Sequence, residues 1–325
     1  MAGSAGSAGS AGSAGSAGSA GSASAVGYRP LLFSIAYGMT GSVGDAEDLV
    51  QDTFLNLTRA EQAGTAVTNL KAYLTTSVTR LGINHLGSAR VRRETYVGQW
   101  LPEPVVAFAD RPGGPAEHAE LTDSLSMAFL VMLEALSPVE RAVFMLREAF
   151  GYGYREVAEL TGKSEANCRQ IFARARKRLA VSADAPLPPT RRAEGDELAR
   201  RFFEVAAGGD LEELLGMLAP DVVLHGDGGG KAQAIGRSVD NPRQVAQLLV
   251  SGLRRIAALG ASLVPARVNG HPGAVAYDGQ GRVLNVVALD IVDGAVRGIH
   301  AVANPDKLGH LGEVSDLGLR KVRER

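Results

Sequence analysis

YREVAELTGKSEANCRQIFARARKRL, residues 154–179, holds two helical segments either side of a tight turn. Tyr154 to Leu160 makes a short first segment, Thr161-Gly162 breaks it, and Ser164 caps a second that runs to about Leu179. On the second segment Cys168, Phe172, Ala175 and Leu179 repeat at helical spacing and form one apolar stripe. Cys168 therefore reads as a core residue, with a reactive or redox-sensing thiol as the alternative. The opposite surface carries Glu165, Asn167, Arg169, Gln170, Ala173, Arg174 and Lys177. Residues 163–178 hold six Lys/Arg and one acidic residue. Two helices at a Gly-containing turn, the second strongly basic, have the layout of a helix-turn-helix. Glu165, Asn167, Arg169 and Gln170 have the donors and acceptors that read base edges. Arg174, Arg176, Lys177 and Arg178 suit phosphates. The plainer alternative is a solvated cationic helix end, which the helix dipole favours by itself.

The flanking sequence divides into blocks. The helix-turn-helix closes a block at 118–182. Within it a helix runs through Leu125, Phe129, Met132, Leu133 and Leu136, and Ser137-Pro138-Val139-Glu140 opens another as a capping box. Upstream, 97–117 is a linker broken by Pro102, Pro104, Pro112 and Pro115, yet it holds Trp100, the only tryptophan of the chain. Residues 26–96 read as three amphipathic helices, through Leu31–Met39, Ala46–Leu57 and Leu70–Leu81. Asp45, Asp48 and Asp52 lie on one stripe beside the apolar face of the second. The third runs into a basic stretch, Arg80, His85, Arg90, Arg92 and Arg93. An acidic face for a protein partner and a basic end for nucleic acid is one reading; an ordinary charged bundle is the other.

Downstream, 183–194 is a second Pro-rich linker, and 195–308 changes character. Two helices, a strand at Val222–His225 and a helix at Val245–Leu259 precede four extended segments. Asn269-Gly270, Gln280-Gly281 and Asp293-Gly294 separate these as hairpin turns. Helices followed by an antiparallel meander make an α+β domain. Residues 309–325 read as a charged, frayed tail. At the other end, residues 2–22 are seven Ala-Gly-Ser repeats, and 1–25 reads as a disordered or engineered tract outside the fold.

Composition excludes several classes. The 325 residues carry a formal net charge of −1, so any basic surface is local. A single cysteine excludes an intramolecular disulfide framework and a multi-cysteine zinc site. His85, His118, His225, His271, His300 and His310 show no ligand spacing, so neither metal nor cofactor is expected. No apolar run approaches the roughly 20 residues of a membrane helix. A soluble, cytoplasmic protein with no membrane partner is the expectation.

At this point a resemblance enters. Arg29-Pro30-Leu31-Leu32-Phe33, Gly41-Ser42-Val43-Gly44-Asp45-Ala46-Glu47-Asp48-Leu49-Val50-Gln51-Asp52 and Ser164-Glu165-Ala166-Asn167-Cys168-Arg169-Gln170 resemble the extracytoplasmic-function sigma factors of RNA polymerase. Trp100-Leu101-Pro102-Glu103-Pro104, Asp227-Gly228-Gly229-Gly230 and Asn304-Pro305-Asp306-Lys307-Leu308 resemble the SigJ-like subgroup, which carries a fused C-terminal SnoaL-like domain. The resemblance implies sigma region 2 at 26–96 and sigma region 4 at 118–182, two all-α domains. It implies an α+β cone at 195–308. It implies that Asp45, Asp48, Gln51 and Asp52 dock on the β′ clamp helices of core RNA polymerase. Arg80, Asn84, Arg90, Arg92 and Arg93 would open and read the −10 element of promoter DNA. Glu165, Asn167, Arg169, Gln170, Arg174 and Lys177 would read the −35 element, with the β flap as a further contact of region 4.

For the C-terminal domain fold does not decide function. His225, Asp227, His300 and Asp306 could form an acid/base site, the domain could sense a ligand, or it could be a regulatory docking domain. The resemblance favours the last and a non-enzymatic protein. Trp100, Leu101 and Pro102 would then meet Asp227, Gly228, Gly229, Asn304, Pro305, Asp306 and Lys307 within the chain, with the sign of the control left open. The alternative is a ligand-sensing or enzymatic SnoaL-like module on a free helix-turn-helix regulator.

Overall fold

The computed structural model describes residues 25–94, 96–108, 125–179, 189–258 and 260–318, except for the side chains of 89–94 and 189–194. Most of the Ala-Gly-Ser tract, the Pro-rich stretch 109–124 and residues 319–325 lie outside the described residues. Ala25 does not belong with the tract, because it is buried against the first helical core.

Helices α1 (Arg29–Thr40), α2 (Val43–Gln62) and α3 (Leu70–Glu94) form the first block. Pro30 sets the backbone at the start of α1. Gly41 ends it at φ 66°, a left-handed conformation that glycine adopts without strain. Ser42 caps α2 by accepting the Asp45 backbone N–H at 3.2 Å. The apolar repeats Leu32, Ile35 and Met39, Leu49 and Val50, and Leu74 and Val78 meet in the core, as their spacing predicts.

Helices α4 (Met127–Leu133), α5 (Pro138–Glu148), α6 (Tyr154–Thr161) and α7 (Glu165–Leu179) form the second block. Glu140 accepts the Ser137 backbone N–H at 3.0 Å, half of a capping box. Gly162 turns the chain between α6 and α7 at φ 68°. Cys168 is buried, and Phe172 stacks on Phe144 at 5.4 Å between centroids. The two helical blocks share one apolar core, from Phe33 and Met39 to Phe144, Val157 and Cys168. Arg141, also buried, crosses between them: it donates to the carbonyls of Leu133 (3.2 Å) and Met39 (2.7 Å) and pairs with Glu134.

The C-terminal domain holds α8 (Pro189–Gly208), α9 (Leu211–Met217), β2 (Leu218–Asp227), α10 (Pro242–Ala258), β3 (Ser262–Val268), β4 (His271–Tyr277), β5 (Val283–Val292) and β6 (Ala295–Val302). A six-stranded sheet runs β1-β3-β4-β5-β6-β2, where β1 is Val106–Ala107 of the linker. One face packs on the helices through Phe202, Val222, Val245, Leu289 and Ile299. The other packs on the linker and α4 through Leu101, Val106, Met127, Val286 and Val302.

Four expectations are corrected. The meander holds for β3 to β6, but β2 pairs parallel with β6, so the sheet is mixed. The linker at 97–117 reads without a strand, but its residues 106–107 pair antiparallel with Val268 and Arg267. The second linker is shorter than 183–194 because α8 begins at Pro189, a residue whose fixed φ suits a helix start. The tail does not fray from 309: Val314 bridges Val283, and Ser315 is buried with its hydroxyl donating to Asp278 at 2.6 Å. Hydrogen bonding, first from Ser315 and then from the Arg282 and Gln280 backbone, holds the Asp278 carboxyl well below the usual range.

Candidate functional site

Asp227 ends β2, and its carboxylate is completely buried. Oδ1 accepts from the Tyr96 hydroxyl at 2.5 Å and the Gly229 N–H at 2.9 Å. Oδ2 accepts from the Leu101 N–H at 2.8 Å and the Lys307 ammonium at 2.7 Å. All four acceptor positions of the carboxylate are thereby used. Lys307 also donates to the Leu101 carbonyl, and its Nζ sits 4.2 Å from the Trp100 ring centroid and 4.8 Å from that of Tyr96. Asn304 closes the ring, donating to the Tyr96 hydroxyl at 2.7 Å. Burial, and next the bond to Asp227, push the Tyr96 hydroxyl far above its ordinary range and keep it a donor. Gly229 is obligatory in this arrangement: at φ 55° a Cβ there would lie 2.4 Å from Asn304 Nδ2.

The same linker segment grips the first helical block. Trp100 and Pro102 pack over Gly41, where a Cβ would lie 2.6 Å from Trp100 Cη2. The Glu103 N–H donates to the Gly41 carbonyl at 2.8 Å, and the Glu103 carboxylate accepts the Val43 N–H at 2.7 Å. The latter places a negative charge at the N-terminus of α2, where the helix dipole favours it.

A second node lies at the β3–β4 turn. Asn269 is buried at φ 51°. Its Oδ1 accepts the Val105 N–H at 3.1 Å, and its backbone N–H donates to the Val105 carbonyl at 2.8 Å. Its Nδ2 donates to the Tyr37 hydroxyl at 2.8 Å and the Leu125 carbonyl at 3.0 Å. One amide thus touches α1, the linker and the segment leading into α4.

The structure therefore brings together Trp100, Leu101, Asp227, Gly229, Asn304 and Lys307, with Pro305 opening the 3-10 turn that carries Lys307, whereas Pro102 lies against Gly41 and Gly228 against Ala232 and Ala234. Asp306 points elsewhere, to an exposed ion pair with Lys231 at 2.6 Å. Sequence reasoning missed Tyr96, Gln99, Glu103, Asn269 and Asp290.

The acid/base candidates do not assemble as one site. Asp227 is saturated by Tyr96, Leu101, Gly229 and Lys307. His225 and His300 stack at 5.1 Å, and His300 Nε2 meets Asp290 at 2.7 Å. The Gln99 side chain spans to this pair: its Oε1 accepts the Gly226 N–H at 3.2 Å, and its Nε2 faces His225 Nδ1 at 3.2 Å. Burial first, then the charge of His300, pull the His225 pKa down to about 4. Among the described residues no group of three or more His, Cys, Asp or Glu could hold a metal ion. No helix among them is long and apolar enough to cross a membrane.

On α2, Asp48, Gln51 and Asp52 are exposed, and Leu55, 51% exposed, continues their row. Asp45 lies partly buried with Oδ2 3.2 Å from His85 Nε2. On α3, Arg80 and Asn84 line a groove of about 610 Å³ with Asn56, Tyr73 and Ser77. Helix α6 reaches this surface, and Arg80 donates to the Glu159 carbonyl at 3.4 Å. The side chains of Arg90, Arg92 and Arg93 lie outside the described residues. On α7, Asn167, Arg169, Gln170, Arg174 and Lys177 are exposed, while Glu165 is half-exposed and pairs with Arg169. The Arg169 guanidinium also lies 5.2 Å from the Tyr154 ring centroid.

The chain joins a helical bundle with an acidic stripe to a basic helix-turn-helix, and both parts match known families. Residues 26–92 match the family model for Sigma-70 region 2, and residues 126–179 that for Sigma-70, region 4. The chain is 38% identical over 293 residues to the ECF RNA polymerase sigma factor SigJ of Mycobacterium tuberculosis, covering 86% of this chain and 90% of that one. It is 31% identical over 289 residues to the probable ECF RNA polymerase sigma factor SigI of the same species, covering 87% and 93%. The crystal structure of M. tuberculosis SigJ superposes with a TM-score of 0.70 at 34% identity, covering 87% of this chain and 96% of SigJ. The chain belongs to the extracytoplasmic-function sigma factors, which act in transcription initiation, and its fold joins their two helical regions to a C-terminal SnoaL-like α+β domain.

Proposed function

We propose that this chain binds core RNA polymerase and reads −10 and −35 promoter elements through regions 2 and 4, and that its C-terminal domain restrains it in a closed form. Asp48, Gln51 and Asp52, with Asp45 at the margin, dock on the polymerase clamp. Arg80 and Asn84 belong to the −10 surface, and α7 belongs to the −35 surface.

The observation that carries the restraint is the contact of Arg80 with Glu159. Promoter elements named for positions −10 and −35 lie about 25 base pairs apart, roughly 85 Å at 3.4 Å per step. Helices α3 and α6 touch, so this closed form does not span both elements. The linker between the regions is bonded to Asp227, Lys307 and Asn269 of the C-terminal domain, which supports that domain as the restraint. Tethering holds such contacts at an effective concentration in the ~mM range.

Run-off transcription with core polymerase tests this. Asp227→Asn raises promoter-specific output at limiting factor concentration. Unchanged or lower output from a folded Asp227→Asn chain contradicts the restraint.

A further inference from the structure

The linker lies on the C-terminal domain as a bound peptide lies on a recognition domain. Leu101 has both backbone groups bonded, its N–H to Asp227 at 2.8 Å and its carbonyl to Lys307. Val105 has both bonded to Asn269, and the Pro104 carbonyl accepts from His310 Nε2 at 2.8 Å. Val106 and Ala107 then extend the sheet along β3. The side chains of Leu101 and Val106 are buried among Val268, Val286, Val302 and Leu308. This is strand addition with a pocketed leucine, a mode in which backbone bonds give affinity and alternate side chains give specificity.

The proline positions fit the same scheme. The domain takes N–H groups only from residues 101 and 105 of this core. Pro102 and Pro104 have none to leave unpaired, and the Glu103 N–H is satisfied by Gly41 instead. A Leu-Pro-x-Pro core is therefore matched to the donors and acceptors that the domain presents.

We propose that the C-terminal domain is a peptide-binding module whose ligand is an extended apolar segment of the Leu-Pro-x-Pro-Val-Val type, with the linker as its resident occupant. A segment of that chemistry on another polypeptide exchanges with the linker and frees it. The consequence of release rests on the restraint proposed above, whereas binding is measured without transcription, so the two ideas fail separately.

The probe is a fluorescein-labelled peptide of residues 99–108, followed by anisotropy with the full chain. The wild-type chain binds it weakly, because the tethered linker competes. Leu101→Asp in the chain empties the pocket and tightens peptide binding at least tenfold. Adding Asp227→Asn to that variant abolishes the gain, and a peptide carrying Leu101→Asp does not bind. Equal binding by wild type and Leu101→Asp, or equal binding of a scrambled peptide, overturns the proposal. A second measurement needs no variant to fold: a peptide with benzophenone in place of the Trp100 side chain is photo-crosslinked to the wild-type chain. Adducts at 225–230 and 304–310, with or without Gly41 on the other side of the ring, support the module; adducts spread over helical surfaces away from Gly41, or none, overturn it.

Discussion

The Asn269 amide donates to the Tyr37 hydroxyl at 2.8 Å, so a turn of the C-terminal sheet is hydrogen-bonded to the first helix of region 2 across 232 residues of sequence. Tyr37 in turn donates to the Glu103 carbonyl at 2.6 Å. Burial pushes the Tyr37 hydroxyl well above its ordinary range, so it stays neutral and keeps donating. Tyr37→Phe removes both bonds, the one accepted from Asn269 and the one donated to Glu103, and costs about 1 kcal/mol for each. Asn269→Gly keeps the positive φ but strips the side chain, leaving the buried Val105 N–H and Leu125 carbonyl unmet, at about 1–3 kcal/mol each. Amide exchange at Val105 checks this: it quickens at least tenfold in Asn269→Gly. Unchanged exchange there would show that the node holds nothing.

The Asp227–Lys307 pair is buried, so removing one partner strands the other. Lys307→Ala is expected to cost about 3–5 kcal/mol in urea unfolding of the full chain, while Asp227→Leu with Lys307→Met is milder than the sum of the single changes. Additive losses would mean that the two groups do not act as a pair.

His225 gives the chain an acid-sensitive contact. The unfolded residue protonates near its ordinary value of 6.5, but folded His225 resists until about 4. Between those values the unfolded state holds more protons, so stability falls as pH drops from about 6.5 to about 4, and no further below. His300, Asp290 and His271 face the same cluster. Protonated His225 would also turn a donor toward Gln99 Nε2, and a flipped Gln99 would turn a donor toward the Gly226 N–H. Thermal unfolding at pH 7, 6 and 5 checks this: His225→Gln flattens the slope, and an unaltered slope rules His225 out as its source.

Arg169 and Lys177 separate base reading from phosphate binding. Arg169→Ala costs about 1–3 kcal/mol and relaxes discrimination at one base pair. Lys177→Ala weakens all sites alike and reduces the salt slope by about 1. Binding to a set of single-base operator variants at several salt concentrations distinguishes them; equal, sequence-blind losses would assign Arg169 to phosphate.

Much of the architecture was legible because helical spacing, caps and Asn-Gly or Asp-Gly turns are local signals. Ser137 and Gly162 act where the sequence places them. The motif residues Asp227 and Lys307 stood out by resemblance, but their partner Tyr96 carries no local signal, and neither does Gln99 beside His225. Asn269 read as a turn residue, correctly so at φ 51°, but its second role depends on Tyr37 and Leu125, remote in sequence. Strand β1 was hidden because two residues make no period. The parallel β2–β6 pairing was hidden because alternation sets which face a residue takes, not which neighbour its strand finds.

The closed form is tested most directly by the distance between regions 2 and 4. Spin labels at Thr58→Cys and Arg176→Cys, in a Cys168→Ser background, would be read by pulsed electron resonance. The account predicts a single short distance in the free chain, a long component in free Asp227→Asn, and a separation approaching roughly 85 Å on core polymerase with promoter DNA. A wild-type distance that is the same free and on the promoter complex would contradict it.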